Sequence, residues 1–214
     1  MENQKDHLKD LADIRSMMES STKYLSLSGK SGIFVGIYAL IGAVAAYYYL
    51  GIDFLTPGYY EQGLVNGSLN ISFLMFFALD AFSVLFLSLI TVFAFTYKKA
   101  KKNGQPMLGK NFNLLLLNLF APLITGGIFI LVLLNHQIVY LVAPTTLIFY
   151  GLGLLNAAKY TYKDIHYLGI CEIILGLISC FFVGFGLLFW AFGFGLLHIF
   201  YGSLMYLKYE KTEK

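Results

Sequence analysis

The chain has 214 residues, of which 58% are hydrophobic and only 13% are charged, and its formal net charge is +3. A soluble domain carries about 25% charged residues, so this composition excludes an ordinary soluble globular protein. Long uncharged apolar runs instead predict membrane-spanning helices, because about 20 helical residues cross the hydrocarbon core of a bilayer.

The first 31 residues precede the first apolar run and predict an amphipathic helix. Apolar side chains recur on one helical face of this segment, at Leu11, Ile14, Met18 and Leu25. Two interpretations of this face stay open: it packs against the cytoplasmic ends of the spans, or it docks a cytoplasmic partner protein.

The same segment carries a resemblance. The stretch ADIRSMME at residues 12–19, followed by LSLSG at residues 25–29, resembles the opening of a family of uncharacterised bacterial six-span membrane proteins. The similarity continues into the first apolar run, as far as residue 46. It implies a bacterial cytoplasmic membrane and brings no activity, cofactor or catalytic residue with it.

Six apolar segments follow, each long enough to cross a membrane as a helix. They cover residues 32–50, 70–97, 112–134, 138–158, 168–185 and 188–207. The last two need a tight turn between them, and the Gly184-Phe185-Gly186 stretch is the expected place. The predicted fold is all-α: a polytopic membrane protein with an N-terminal segment (1–31), a six-helix bundle (32–207) and a tail (208–214).

Basic residues give the predicted bundle an orientation. All 15 Lys and Arg residues fall before span 1, between spans 2 and 3, between spans 4 and 5, or after span 6. With six spans these segments share one side of the membrane, and the positive-inside rule makes that side cytoplasmic. We therefore expect a multi-pass protein of the cell (inner) membrane with both termini in the cytoplasm.

Small residues form a stripe on span 1. They recur at helical spacing at Gly32, Gly36, Ala39 and Ala43. Such stripes allow the backbones of two membrane helices to approach closely. We interpret this one as a helix-packing face.

Three titratable side chains interrupt the apolar segments, and they form the candidate polar site. Asp80 and His198 are expected near mid-bilayer, whereas Glu172 is expected near the inner boundary, within reach of water. Ionisable residues inside a membrane are costly, and they commonly mark ion or proton pathways. The alternative is that they are structural hydrogen-bonding groups. An Asp80–His198 pair is allowed by their depths, and Asn118 and Asn156 are expected to hydrogen-bond between helices.

Motifs of known chemistry do not explain the chain. The sequence has no Gly-x-Ser-x-Gly elbow and no pair of histidines at zinc spacing. We expect no enzyme activity, no cofactor and no metal. The lysines at 98, 99, 101 and 102 adjoin a span, so anionic lipid is the expected partner rather than nucleic acid.

Two classes of function are favoured after this reading, ahead of an intramembrane enzyme, for which the sequence offers no recognisable motif. The first is a non-enzymatic scaffold or regulatory protein, with the N-terminal helix as its docking element. The second is a proton- or ion-coupled transporter or channel subunit that uses Asp80, Glu172 and His198. The bilayer is the expected partner in both, and a homo-oligomer suits the second because six spans enclose little space.

Overall fold

The computed structural model describes residues 23–53, 55, 57–104 and 109–211. Six helices in this part are long and apolar enough to cross a membrane. They are α1 (Gly29–Leu50), α2 (Ile71–Lys102), α3 (Lys110–Asn135), α4 (Val142–Ala157), α5 (Lys163–Phe181) and α6 (Gly186–Tyr209). Short 3-10 turns lengthen α4 at both ends, to Val139–Tyr160.

The outside of the bundle is apolar. On α2 the side chains of Leu79, Phe82 and Phe86 are each about two-thirds exposed, at 65%, 69% and 65%. A continuous apolar surface of this size is suited to lipid rather than to water. Six apolar helices with such a surface indicate a multi-pass membrane protein, as the sequence predicts.

The helices do not pack in chain order. Helix α1 lies between α2 and α6, α6 also contacts α4 and α5, and α3 packs against α4. The most extensive pairs are α1 with α6 and α4 with α5. The central group is therefore α1, α4, α5 and α6, with α2 and α3 on its flanks.

Local sequence explains where several helices begin and end. The Asn70 side chain accepts the backbone N–H groups of Ser72 and Phe73, at 3.1 and 3.3 Å, and so caps α2. Helix α1 ends at Gly51, whose positive φ of 63° suits glycine. The predicted turn between α5 and α6 is confirmed: it contains Gly184 at φ 101°.

Helices α1, α3 and α5 begin, and helices α2, α4 and α6 end, at the same end of the bundle, which we call the basic end. Residues 24–28 cross it as an extended strap. The strap is fixed where Tyr24 N donates to Tyr160 O at 2.7 Å and Thr161 Oγ1 donates to Tyr24 O at 2.9 Å. Every lysine in the described residues lies at this end, as the six-span arrangement requires.

The opposite end is covered by the α1–α2 connection. A short hairpin pairs Leu64–Val65 with Ser68–Leu69 across an Asn66-Gly67 turn, where both residues have positive φ. Beside it, Tyr59 packs into an apolar cluster with Tyr47, Leu50, Phe73, Val139 and Leu187. Burial raises the pKa of the Tyr59 phenol, and the nearby Tyr47 and Tyr60 raise it further.

Candidate functional site

The polar centre of the bundle is Glu172 on α5. Its side chain is fully buried, at 0% exposure. Helix α5 begins at Lys163, nine residues before Glu172, so the carboxyl lies about 13 Å along the helix from the basic end. The expectation that water reaches Glu172 is wrong, because the bundle encloses its side chain completely.

Glu172 is an unsatisfied buried group. Within the described residues, neither of its carboxyl oxygens has a hydrogen-bond partner. A buried polar group without a partner costs about 1–3 kcal/mol in proteins. Most buried polar groups are satisfied, so an exception of this kind calls for an explanation.

His198 on α6 is the nearest ionisable neighbour of Glu172. Its Nδ1 lies 3.5 Å from Glu172 Oε1 and 3.1 Å from the carbonyl oxygen of Gly193. Its Nε2 lies 2.8 Å from the hydroxyl of Tyr150 on α4. The His198 ring is 5% exposed and Tyr150 is half-buried, so Tyr150, His198 and Glu172 form a row contributed by three different helices.

These contacts fix the tautomer of a neutral His198. The Gly193 carbonyl can only accept, so Nδ1 carries the proton and donates it. Nε2 is then an acceptor, and the Tyr150 hydroxyl donates to it. Glu172 Oε1 lies 3.5 Å from the same Nδ1, close to it but without a hydrogen bond.

The backbone of α6 is wound differently beside this site. Residues Ala191–Leu197 form a π-helical segment within α6. Such segments are rare, and they frequently occur at functional sites. Here the wider turn places the Gly193 carbonyl against His198, five residues later.

Gly193 also sets the spacing between α6 and α5. A Cβ atom at this position would lie 2.5 Å from both Glu172 Oε2 and Leu147 Cδ2. No other residue fits there without displacing the carboxyl. The π-helical segment therefore places the backbone of α6 at Gly193, rather than a side chain, next to Glu172 Oε2.

Asp80 does not join this row. It lies on α2 and faces α1, where a Cβ added to Gly42 would be 3.1 Å from each of its carboxyl oxygens. Helix α1 separates α2 from α6, so the Asp80–His198 pair that depth alone allows is not formed. Among the described residues Asp80 has no hydrogen bond or ion pair, and it is half-buried.

The small-residue stripe of α1 lies against α6. A Cβ at Gly36 would be 2.5 Å from the carbonyl oxygen of Gly195, and one at Gly32 would be 3.1 Å from the Cα of Gly202. Ala39 and Ala43 are buried, at 1% and 2% exposure. The stripe holds the first and the last spans together.

The expected docking face is only partly described. Leu11, Ile14 and Met18 lie outside the described residues. Leu25 belongs to the extended strap, where Tyr162 Oη donates to its carbonyl oxygen. The expectation that Leu25 continues a helical face is therefore wrong, because its backbone carbonyl is bound by the start of α5.

A second polar cluster, which we call the basic-end latch, was not predicted. Glu210 follows α6, and its Oε1 accepts the Gly29 N–H at 2.6 Å and lies 3.7 Å from Lys99 Nζ. Lys99 also donates to Leu27 O at 2.9 Å and to Tyr162 Oη at 3.2 Å. In sequence, Lys99 is one member of a lysine run, and nothing distinguishes it from its neighbours.

Tyr150 and Gly193 were also missed as site residues. A tyrosine eight residues into α4 lies at mid-depth, away from the interfaces that tyrosines prefer, and this unusual depth was the available signal. No signal in the sequence marks the π-helical winding.

The described residues contain no group of three or more His, Cys, Asp or Glu side chains placed to hold a metal ion. The site can bind protons at Glu172 and at the imidazole of His198, and its geometry allows a proton to move between them. In comparisons with known proteins, no family model, no curated protein and no solved structure matches this chain.

Proposed function

We propose that this protein is a proton-coupled membrane transporter or proton-conducting channel subunit, and that Glu172, His198 and Tyr150 form its proton-binding site. The observation that carries the proposal is the fully buried Glu172 carboxyl, 3.5 Å from His198 and without a hydrogen-bond partner among the described residues. A membrane protein that keeps so costly a group uses it, because an apolar residue would be more stable there.

A proton enters the row on the Tyr150 side from a hydronium ion, which becomes water. It binds the Tyr150 oxygen as Tyr150 passes its own hydroxyl proton to His198 Nε2, and His198 releases its Nδ1 proton to Glu172 Oε1. Tyr150 and the ring both stay neutral, and the ring changes tautomer. Glu172 becomes neutral in the same step and gains a proton that it can donate. The π-helical turn and Gly193 leave the carboxyl free of other side-chain partners, which suits a group that must be charged and discharged repeatedly.

We further propose that the basic end faces the cytoplasm. The basis is that all 15 Lys and Arg residues lie in alternate connections of the six spans or beyond the first and last span, and that every lysine of the described residues lies at this end. The resemblance of residues 12–46 to bacterial six-span proteins supports the inner membrane of a bacterium as the location.

Proton flux into liposomes tests the proposed activity. Purified protein is reconstituted with a pH-sensitive dye inside, and a potassium gradient with valinomycin supplies the driving voltage. We compare wild type with Glu172→Gln, which keeps the shape of the side chain but cannot carry a proton. Glu61→Gln, an exposed carboxyl in the α1–α2 connection, is the matched control.

We expect flux from wild type and from Glu61→Gln, and none from Glu172→Gln. Equal thermal unfolding temperatures in detergent would show that the loss is not a folding defect. Equal flux from wild type and Glu172→Gln would overturn the proposal. If wild type conducts only when a candidate solute is present, the protein is a coupled transporter rather than a channel.

A scaffold or regulatory role is the second candidate. The observation that favours it is the strap, whose backbone is hydrogen-bonded to the Lys99 side chain on α2, to Tyr160 at the end of α4, and to Thr161 and Tyr162 just before α5. Deleting residues 1–22 should then abolish crosslinking to a cytoplasmic protein while the six helices stay folded. Unchanged crosslinking in the deletion variant would remove this candidate.

A further inference from the structure

A groove opens on the outer surface between α3 and α4. Its volume is about 510 Å³, within the range of small-molecule sites. It is lined from α3 by Leu117, Asn118, Ala121, Pro122 and Thr125, and from α4 by Phe149, Leu152 and Asn156. None of these residues belongs to the Glu172 site.

Polar groups in the groove are not used between the two helices. Asn118 Nδ2 donates to Leu114 O on its own helix at 2.8 Å, and Asn156 Oδ1 accepts from Lys159 Nζ at 3.3 Å. The expectation that both asparagines bridge helices is therefore wrong. Pro122 has no N–H for the Asn118 carbonyl one turn earlier, so a backbone acceptor is released inside the groove.

The groove is basic at one end only. Asn156 is in the last turn of α4, next to the exposed Lys159, and Lys110 begins α3 at the same end of the bundle. From Asn118 the groove continues to Thr125, a rise of about 10 Å toward mid-bilayer, and the Thr125 hydroxyl donates to Ala121 O on its own helix at 2.9 Å. The other deep walls are Pro122 and Phe149.

This polarity matches an amphiphile whose anionic group lies at the membrane interface. We propose that the groove binds one anionic phospholipid from the leaflet at the basic end. Lys159 and Asn156 hold the headgroup phosphate, and an acyl chain lies along Leu117, Phe149 and Leu152. A helix from a second copy is about 10 Å across and is too wide to enter a groove of this size.

The proposal rests on the groove alone and does not depend on proton transport. Native mass spectrometry of the full chain tests it, after exchange into nanodiscs that contain equal parts of phosphatidylglycerol and phosphatidylcholine with identical acyl chains. Leu152→Trp fills the groove from a position that is 38% exposed. Lys159→Gln removes the cation but leaves the apolar walls intact.

Ile174→Trp is the matched control, because Ile174 is an exposed apolar residue on α5, away from the groove. Wild type and Ile174→Trp should retain one phosphatidylglycerol, at least tenfold more often than phosphatidylcholine. The fraction of Leu152→Trp that retains phosphatidylglycerol should be at least tenfold lower than that of wild type. Lys159→Gln should keep one lipid but bind the two headgroups equally.

A photoactivatable phosphatidylglycerol should also crosslink to peptides from residues 111–158. Equal retention of both lipids by wild type would overturn the proposal. So would retention unchanged in Leu152→Trp, since the lipid would then be held by lysines elsewhere. Crosslinks across the groove between two copies of the chain would assign it to a protein interface instead.

Discussion

Gly29 N donates a 2.6 Å hydrogen bond to Glu210 Oε1, so a carboxylate after the last helix caps the first turn of the first helix. Ser28 Oγ donates to the other carboxyl oxygen at 3.3 Å. A negative charge at a helix N-terminus is favoured by the unpaired N–H groups and by the helix dipole. The two ends of the described chain are joined by this carboxylate.

Glu210→Ala should therefore destabilise the bundle. Loss of a helix cap costs about 0.5–2 kcal/mol, and Lys99 would lose its carboxylate neighbour as well. Glu210→Gln keeps one acceptor oxygen and should fall between wild type and alanine. Unfolding of the detergent-solubilised protein by denaturant measures the difference, with Glu61→Ala as the exposed control. Equal stability of all four proteins would contradict a structural role for the cap.

Substituting two glycines in different surroundings distinguishes the effect of close helix packing from the effect of helix propensity. Gly36→Ala places a Cβ 2.5 Å from Gly195 O, so α1 and α6 must move apart. Overpacking of this kind costs about 1–3 kcal/mol. Gly127→Ala adds the same atom to α3 where nothing lies within 4 Å, and it should leave stability unchanged or slightly raised. The thermal unfolding temperatures of the two variants measure this contrast, and equal values would mean that α1 and α6 are not in close contact.

The Glu172 site should show a conflict between stability and activity. Glu172→Met replaces an unsatisfied carboxyl by an apolar side chain of similar length. We expect the free energy of unfolding to stay equal or to rise, by up to about 3 kcal/mol, while proton flux is lost. Ser179→Ala removes a buried hydroxyl that also lacks a hydrogen-bond partner among the described residues, and it should leave proton flux unchanged. A large loss of stability in Glu172→Met would show that the carboxyl is a structural group.

Tyr150 should control the protonation pattern of His198. In Tyr150→Phe, Nε2 loses its hydrogen-bond donor, so the preference for the Nδ1–H tautomer weakens. Nitrogen NMR of the labelled protein reads the tautomer directly, and the His198→Gln variant identifies the signal among the four histidines. We expect the Nδ1–H form to dominate in wild type and both forms to appear in Tyr150→Phe. Identical spectra would place the Tyr150 hydroxyl outside the row.

Labelling of single cysteines tests the orientation of the bundle. With Cys171 and Cys180 replaced by alanine, Glu61→Cys in the α1–α2 connection should react with a membrane-impermeant maleimide on intact cells. Lys102→Cys, at the end of α2, should react only after the membrane is opened. The reverse pattern would contradict the proposed cytoplasmic position of the basic end.

The architecture was predictable because it depends on long-range averages along the sequence. Apolar runs of membrane length and the confinement of lysines to alternate connections require no knowledge of which helices touch. The α5–α6 turn was equally accessible, because a glycine-rich stretch has to interrupt so long an apolar run.

The site was only partly predictable because it depends on how each helix is rotated about its axis and on which helices are in contact. Glu172 and His198 were candidates by chemistry, but their pairing follows from the contact of α5 with α6, which sequence position does not reveal. Asp80 was an equally good candidate, and it faces Gly42 instead because α1 lies between α2 and α6. The contact between the Gly193 carbonyl and His198 belongs to the π-helical segment, which the sequence does not reveal.

The contact between α1 and α6 has a consequence for biosynthesis. Ribosomes deliver α1 before any other span and α6 after the other five, so the Gly32 and Gly36 surface meets lipid until its partner arrives. Assembly of the central helices therefore waits until all six spans have entered the membrane. A chain that stops after α5 lacks a central element rather than a peripheral one, and membrane proteases that survey unassembled helices would find α1 unprotected.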